Sequence, residues 1–173
     1  MYAKKQKHII VGAVILLLLA CSLSVFQGVN YMRATMPLRH FSKLIKQGRI
    51  NDISLTIYYL NPVIFTLFPL SVEDLINWHE YQRAITGSEL GEYADLFKQV
   101  NSVTLVPFWE KSTYLDARIY YVFKTDEEGV IFDVAMWGSD GGILVNGIEV
   151  RDDIIFYDII IPFLPEDAAE RLK

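Results

Sequence analysis

The chain has 173 residues, of which 52% are hydrophobic and 13% are aromatic, and its formal net charge at pH 7 is −5. This length suits one domain with a hydrophobic core, and the composition excludes a disordered chain because it provides enough apolar surface to offset the entropy lost on folding. Residues 1–51 contain eight of the 16 lysines and arginines and no acid, whereas the remaining eight bases and all 21 acids follow, so the two parts carry +8 and −13. The acidic part would repel phosphate groups, and nucleic acid is therefore not an expected partner.

An uninterrupted apolar segment covers residues 9–26, directly after a basic N-terminal tail at residues 1–8. As a helix it would rise about 27 Å, close to the thickness of the hydrocarbon core of a bilayer. We therefore expect a transmembrane anchor or signal segment, then a linker at residues 27–35 and an extracytoplasmic domain at residues 36–173. Both flanks of the segment are basic, so the orientation rests on its short N-terminal tail, which usually stays in the cytoplasm.

Three processing outcomes are consistent with this segment. An uncleaved anchor is favoured because apolar residues continue beyond the small residues at which cleavage would occur. Residues 18–21, Leu-Leu-Ala-Cys, resemble a bacterial lipobox, in which the thiol of Cys21 would be acylated. A secretory signal cleaved at residues 20–22 is the third alternative. The chain has a single cysteine, so it forms no intramolecular disulfide.

Residues 36–47 predict an amphipathic helix with Pro37 in its first turn and Gly48 at its end. Its apolar stripe and its basic face lie at separate helical positions. We favour a domain helix that packs its stripe on a sheet and leaves the basic face in solvent. The alternative is a helix on the lipid surface. The stripe consists of Leu38, Phe41, Leu44 and Ile45, and the basic face, the candidate lipid contact, consists of Arg39, Lys43 and Lys46.

The first half of the domain predicts one strand and two helices. Residues 52–60 alternate between apolar and polar side chains, which is typical of a half-buried strand. A capping box of Ser71 and Asp74 predicts a helix to about residue 79, and Ser88 predicts a second helix to about residue 101. Residues 63–70 form an apolar stretch between two prolines, and its pattern does not select one secondary structure.

The second half predicts mostly strands. Residues 103–109 are expected to form an edge strand, because Pro107 cannot donate a ladder hydrogen bond. Residues 115–124 and 130–137 predict a hairpin with a four-residue loop, which would place Thr125 opposite Val130. The inward pairs would then be Phe123 with Phe132, Tyr121 with Val134, and Ile119 with Met136.

A second hairpin and two helices are expected near the C-terminus. Asn146-Gly147 within residues 143–150 is a strong signal for a tight hairpin turn, since both residues accept a positive φ. Asp152 and Asp153 are candidates to cap a helix, and the many β-branched residues that follow are also consistent with a strand. Residues 165–172 predict a last short helix.

Together these elements predict an α+β fold, with an antiparallel sheet of about five to six strands in a hairpin meander, helices packed on it, and one N-terminal membrane helix. The order of elements over about residues 50–164 resembles that of small uncharacterised lipoprotein-type domains of Gram-positive bacteria. This resemblance implies no activity.

The sequence contains no motif of a catalytic or metal site. His79 has no second histidine four residues away, as the helical zinc-protease motif requires. The acidic turns at residues 126–128 and 152–153 lack the alternating oxygen ligands of a calcium loop and are expected to be solvated. We therefore expect no cofactor and no metal, and an enzyme is not supported.

One set of side chains suggests a binding face. Tyr58, Arg118, Tyr120 and Trp137 project to the polar side of their predicted strands, and aromatic rings with one cation suit recognition of a protein, a peptide or an envelope polymer. The alternative is that helices cover this face.

The expected function is thus a membrane-anchored, extracytoplasmic binding module without catalytic activity. One alternative is an envelope hydrolase with unidentified carboxylates. Another is an immunity-like or sensory membrane protein whose anchor contacts a partner.

Overall fold

The computed structural model describes residues 2–111, 116–137, 142–151 and 153–172, with side chains from residue 11 onward. The predicted start of a strand at residue 115 and the candidate cap Asp152 lie outside the described residues. The chain divides into two units, Met1–Met32 and Arg33–Lys173.

The first unit belongs to helix α1, which covers Tyr2–Lys46. Within Val11–Lys46, a stretch of 18 residues has a mean hydropathy of 2.2, and no part of this stretch is buried. The helix is therefore long and apolar enough to cross a membrane. Signal sequences also have this length and composition. Residues 27–35, expected as a linker, are part of the same helix.

The second unit is built on a six-stranded antiparallel sheet with the strand order β2-β1-β3-β4-β5-β6. This confirms the predicted α+β fold. The strands are β1 (Ile53–Tyr59), β2 (Tyr81–Thr86), β3 (Ile119–Thr125), β4 (Gly129–Met136), β5 (Ile143–Val145) and β6 (Ile148–Val150). The short helices are α2 (Val72–Trp78), α3 (Gly87–Leu90), α4 (Ala94–Phe97), α5 (Ile155–Asp158) and α6 (Glu166–Arg171).

The main core lies between one face of the sheet and the C-terminal part of α1. Phe41 of α1 packs on Phe123 and Phe132 of the central hairpin, with ring centroids 4.6 and 5.1 Å apart, and on Phe97 at 5.9 Å. Each of these buried rings contributes about 2 kcal/mol through the hydrophobic effect. The predicted packing of the helix stripe on the sheet is confirmed, since Leu38, Phe41, Leu44 and Ile45 are all buried.

Pro37 lies inside α1, and the prediction that it occupies the first turn is wrong. Because proline has no N–H, the carbonyl of Arg33 four residues earlier loses its helical hydrogen bond. The side chain of Asn146 donates to this carbonyl, with its Nδ2 3.2 Å from the oxygen. The turn between β5 and β6 therefore satisfies the backbone group that the proline leaves open.

The central hairpin has the three predicted inward pairs, including Phe123 opposite Phe132, but its end differs. The predicted pairing of Thr125 with Val130 is wrong, since the register shifts after Phe123 and Thr125 pairs with Gly129. Gly129 has a φ of 75°, so a three-residue turn followed by a left-handed glycine closes the hairpin instead of a four-residue loop.

Other predicted elements are shortened. Residues 103–109 form no strand, because only Leu105 makes a single bridge, to Val150, before a 3₁₀ turn at Phe108–Glu110. The helix expected from Ser88 to about residue 101 is divided into α3, a 3₁₀ turn at Gly91–Tyr93, and α4, consistent with the low helix propensity of glycine. The helix expected near Asp153 is reduced to α5.

Candidate binding site

The loop between β1 and α2, residues 61–69, exposes large apolar side chains. Phe65 is 99% exposed, Leu67 is 96% exposed and Phe68 is 78% exposed. Apolar side chains grouped in this way mark an interaction surface more often than a passive one. We call residues 61–69 the apolar loop.

The residues that flank the apolar loop, Leu60 and Leu70, both hydrogen-bond to the segment directly before β3. The N–H of Leu60 donates to the carbonyl of Arg118 at 2.9 Å, and the N–H of Ala117 donates to the carbonyl of Leu70 at 2.8 Å. Such closure of a loop at its base is typical of an Ω-loop.

Hydrogen bonds inside the apolar loop fix its course. The side chain of Asn61 accepts a hydrogen bond from the N–H of Val63 at 3.0 Å, and its carbonyl accepts one from Ile64 at 3.0 Å. The hydroxyl of Thr66 donates to the carbonyl of Phe68 at 2.8 Å. The loop is therefore ordered by its own polar groups, while its apolar side chains lie in solvent.

The side chain of Arg118 binds the backbone and one side chain of the loop. Its side chain is buried and donates to the carbonyl of Ile64 at 2.9 Å and to Oγ1 of Thr66 at 3.1 Å. It also forms an ion pair with Asp116 at 2.8 Å, and the other oxygen of Asp116 accepts a hydrogen bond from the N–H of Leu70 at 3.0 Å. The cation expected on the binding face thus lies under the apolar loop and positions its backbone.

A small hydrophobic cluster lies at the base of the loop. Leu60, Leu70, Leu75 and Ala117 are buried together, and Tyr58, Val72 and Tyr120 pack against them. This cluster is distinct from the main core, so the base of the apolar loop is packed independently of that core.

A cleft of about 440 Å³ lies beside the apolar loop, next to α2. The one charged residue in its described lining is Asp74, and Trp78 in the last turn of α2 is 63% exposed. The described lining residues are Thr66, Leu67, Phe68, Pro69, Leu70, Asp74 and Trp78.

Asp74 belongs to the capping box at the start of α2, as predicted. Its backbone N–H donates to the hydroxyl of Ser71 at 3.1 Å, and its Oδ2 accepts hydrogen bonds from that hydroxyl at 2.6 Å and from the backbone N–H of Ser71 at 3.0 Å. The hydroxyl, and then the N–H, lower the pKa of Asp74. The carboxylate is therefore ionised at neutral pH.

The expected aromatic face contains a pair of tyrosines on the sheet face opposite the main core. Tyr58 stacks on Tyr120 with ring centroids 6.0 Å apart, and His79 packs edge-on against Tyr58 at 5.3 Å. Burial raises the pKa of Tyr120 to about 12, and it also raises the pKa of the carboxyl of Asp133. Both tyrosines are partly exposed, so they remain candidates for contact with a ligand.

Trp137, the last member of that expected face, lies just after β4 and is partly exposed. Its ring packs against the backbone of Gly142, where a Cβ atom would lie 2.0 Å from the ring. A residue with a Cβ at this position would therefore require the ring to move.

The basic face of α1 is exposed at Arg39, Lys43 and Lys46, and no ion pair between described residues includes them. Contact of these side chains with lipid stays a prediction. The candidate lipidation site Cys21 is exposed in the apolar part of α1, and its acylation also stays a prediction.

The acidic turn at residues 126–128 is less isolated than expected. Nε2 of His40 lies 2.7 Å from Glu128, and the guanidinium of Arg49 lies 3.0 Å from Glu127. Both pairs are solvent-exposed, so they contribute little to the stability of the fold.

Within the described part of the chain, no group of three or more histidine, cysteine, aspartate and glutamate side chains is arranged to hold a metal ion. The fold and the site thus define an α+β domain that follows an apolar helix and presents an ordered apolar loop. No family model, no curated protein and no solved structure matches this chain.

Proposed function

We propose that the protein is a single-pass membrane protein whose extracytoplasmic domain binds another polypeptide through the apolar loop, without catalysing a reaction. The observation that carries this proposal is the near-complete exposure of Phe65 and Leu67 on a loop that Arg118 holds in one conformation. The apolar segment of α1 would keep the domain at the membrane.

The energetics favour a docking role for this loop. Burial of Phe65, Leu67 and Phe68 by a partner would contribute about 1.5–3 kcal/mol for each side chain. Because the loop is ordered before binding, little of this free energy would be lost in fixing its backbone. Aromatic side chains presented in this way are common hot spots of protein interfaces.

The surrounding charge supports a polypeptide partner over a lipid surface. Residues 53–82, which include the apolar loop and α2, contain no lysine or arginine, whereas Glu73, Asp74 and Glu80 are acidic. Segments that bind anionic membranes carry lysine or arginine beside their apolar residues. The three carboxylates would weaken an attraction to anionic lipid, and the cation beside the loop is a single arginine, Arg171, which lines a pocket with Pro62 and Val63.

The cleft is less suited to hydrolysis. Its described lining contains one carboxylate, Asp74. Glycoside hydrolysis requires a second carboxyl group facing the first across the scissile bond. A binding role requires only the apolar surface and its shape.

Photo-crosslinking in the native membrane tests the proposal. A photoreactive amino acid at Leu67 of the full chain should give a discrete protein adduct, and Phe65→Ser should weaken it strongly. The control position is Phe108, which is 67% exposed but lies outside the apolar loop. The partner identified in the adduct should bind the purified full-length protein at least about tenfold more tightly than it binds the Phe65→Ser variant. The same adducts at both positions, or none at Leu67, would contradict the proposal.

A further inference from the structure

We infer that the cleft beside the apolar loop binds a lysine or arginine side chain of the polypeptide partner, with its apolar stem against Phe68 and Trp78 and its cation at Asp74. This inference rests on the proposed function, because it names the chemistry that the same site recognises.

The shape of the cleft fits a long side chain. Its volume of about 440 Å³ is within the range of pockets that enclose small ligands. Phe68 and Trp78 supply exposed aromatic surface to its lining. Lysine and arginine side chains combine an apolar stem with a charged end, and aromatic faces attract such cations.

Asp74 supplies an oriented negative charge. Both hydrogen bonds that its carboxylate accepts from described residues come from Ser71 and reach Oδ2, and none between described residues reaches Oδ1. These bonds keep the carboxylate ionised and restrict its rotation. Hydrogen bonds in which one partner is ionised are stronger than those between neutral groups.

The described lining of the cleft contains no lysine or arginine. Residues 53–82 contain no lysine or arginine, and the nearby Arg118 is already paired with Asp116 beneath the loop. A purely apolar occupant would remove water from Asp74 without replacing its interactions, which is unfavourable. A basic side chain satisfies the carboxylate and the aromatic rings together.

Short random peptides displayed on phage and selected on the full-length protein in detergent micelles test the inference. The enriched peptides should combine a bulky apolar residue with lysine or arginine. The best binder is then compared with a version in which norleucine replaces the basic residue, because norleucine keeps the aliphatic chain without the charge. The norleucine peptide should bind about tenfold more weakly, which corresponds to the loss of one charge-assisted contact.

The Asp74→Asn variant tests whether the difference in affinity between the two peptides arises in the cleft. The asparagine oxygen can still accept the hydrogen bond of the capping box, so the variant should fold, and thermal unfolding checks this. The variant should bind both peptides equally. Glu73→Gln is the matched control, since it removes the same charge from an exposed residue that is not among those lining the cleft, and it should preserve the difference.

The outcomes separate the inference from the proposed function. Selected peptides that depend on Phe65 but show no preference for lysine or arginine would overturn the inference and leave the function intact. Peptides whose binding ignores Phe65→Ser would overturn both.

Binding of the loop to a lipid surface is tested with an environment-sensitive fluorophore attached to the thiol that Leu67→Cys introduces, in a chain that also carries Cys21→Ser. A blue shift of the fluorophore emission with phosphatidylglycerol vesicles, and none with the selected peptide, would overturn both proposals in favour of lipid binding. A shift with the peptide alone supports them.

Discussion

Phe41 and Phe65 are the same residue type in two regions of one domain, yet one is fully buried and the other is 99% exposed. Phe41 packs against three other phenylalanine rings in the main core. Phe65 lies on a loop whose base has its own buried cluster and whose course is fixed by hydrogen bonds, and neither includes the ring of Phe65. The comparison separates apolar residues that stabilise the fold by burial from apolar residues that the fold holds in solvent.

The sharpest test of this separation is to remove each ring. We expect Phe41→Ala to lower the free energy of unfolding by about 3–5 kcal/mol, because it leaves a cavity in the main core. Phe65→Ala should change it by less than about 0.5 kcal/mol. Urea denaturation of the full chain in detergent micelles measures both, and similar losses for the two variants would contradict the comparison.

Arg118 links the two regions, since its backbone lies directly before β3 and hydrogen-bonds to Leu60 and Met136, whereas its side chain contacts the apolar loop. Arg118→Met should lower the free energy of unfolding by about 2 kcal/mol, because Asp116 and the carbonyl of Ile64 lose their partner. Asp116 is partly exposed, which keeps the loss below that of a fully buried pair. Limited proteolysis should show early cleavage within residues 61–69. Arg118→Lys should only partly restore protection, because an ammonium cannot reproduce the forked contacts of a guanidinium.

A smaller effect is expected where the turn meets α1. Asn146→Gly keeps the turn conformation but removes the bond to the carbonyl of Arg33 and the bond that the side chain accepts from the N–H of Asp133, and it should cost about 1.5 kcal/mol. In a Pro37→Ala background the helix supplies an N–H to that carbonyl, so the cost of Asn146→Gly should fall. A double-mutant cycle by thermal unfolding measures this coupling, and additive effects would argue against it.

The smallest expected effect concerns Asp133 on the sheet face opposite the main core. Burial raises its pKa in the folded state, so the unfolded state loses its proton first as the pH rises. Asp133 therefore destabilises the fold above its unfolded-state pKa and not below it. Asp133→Asn should stabilise the protein at neutral pH by less than about 1 kcal/mol, because the group is only partly buried. The gain should disappear in acid, and an equal gain at all pH values would contradict this cause.

The sequence was sufficient for the central hairpin because large apolar side chains recur at every second position around Phe123 and Phe132, even though the opposite face also buries Val122 and Ala135. It was insufficient for β2, an edge strand in which Ile85 is the single buried residue. The course of the backbone at Gly129 was also missed, since a glycine near a turn is consistent with loops of three or four residues.

The apolar loop could not be predicted because periodic patterns identify structure by assuming that apolar side chains are buried. Val63, Ile64 and Phe65 violate that assumption, and their order alone is equally consistent with a strand. Arg118 and Asp74 were noticed for other reasons, as an exposed cation and as a helix cap. Their relation to the loop depends on contacts between segments far apart in the chain.

The absence of lysine and arginine from residues 53–82 has a consequence for selectivity. An exposed apolar surface without charge around it would adhere to many unrelated surfaces. Here Glu73, Asp74 and Glu80 would discourage acidic proteins and anionic lipid by like-charge repulsion, while a basic partner would avoid this penalty. We expect these carboxylates to keep acidic neighbours away before the apolar side chains make contact.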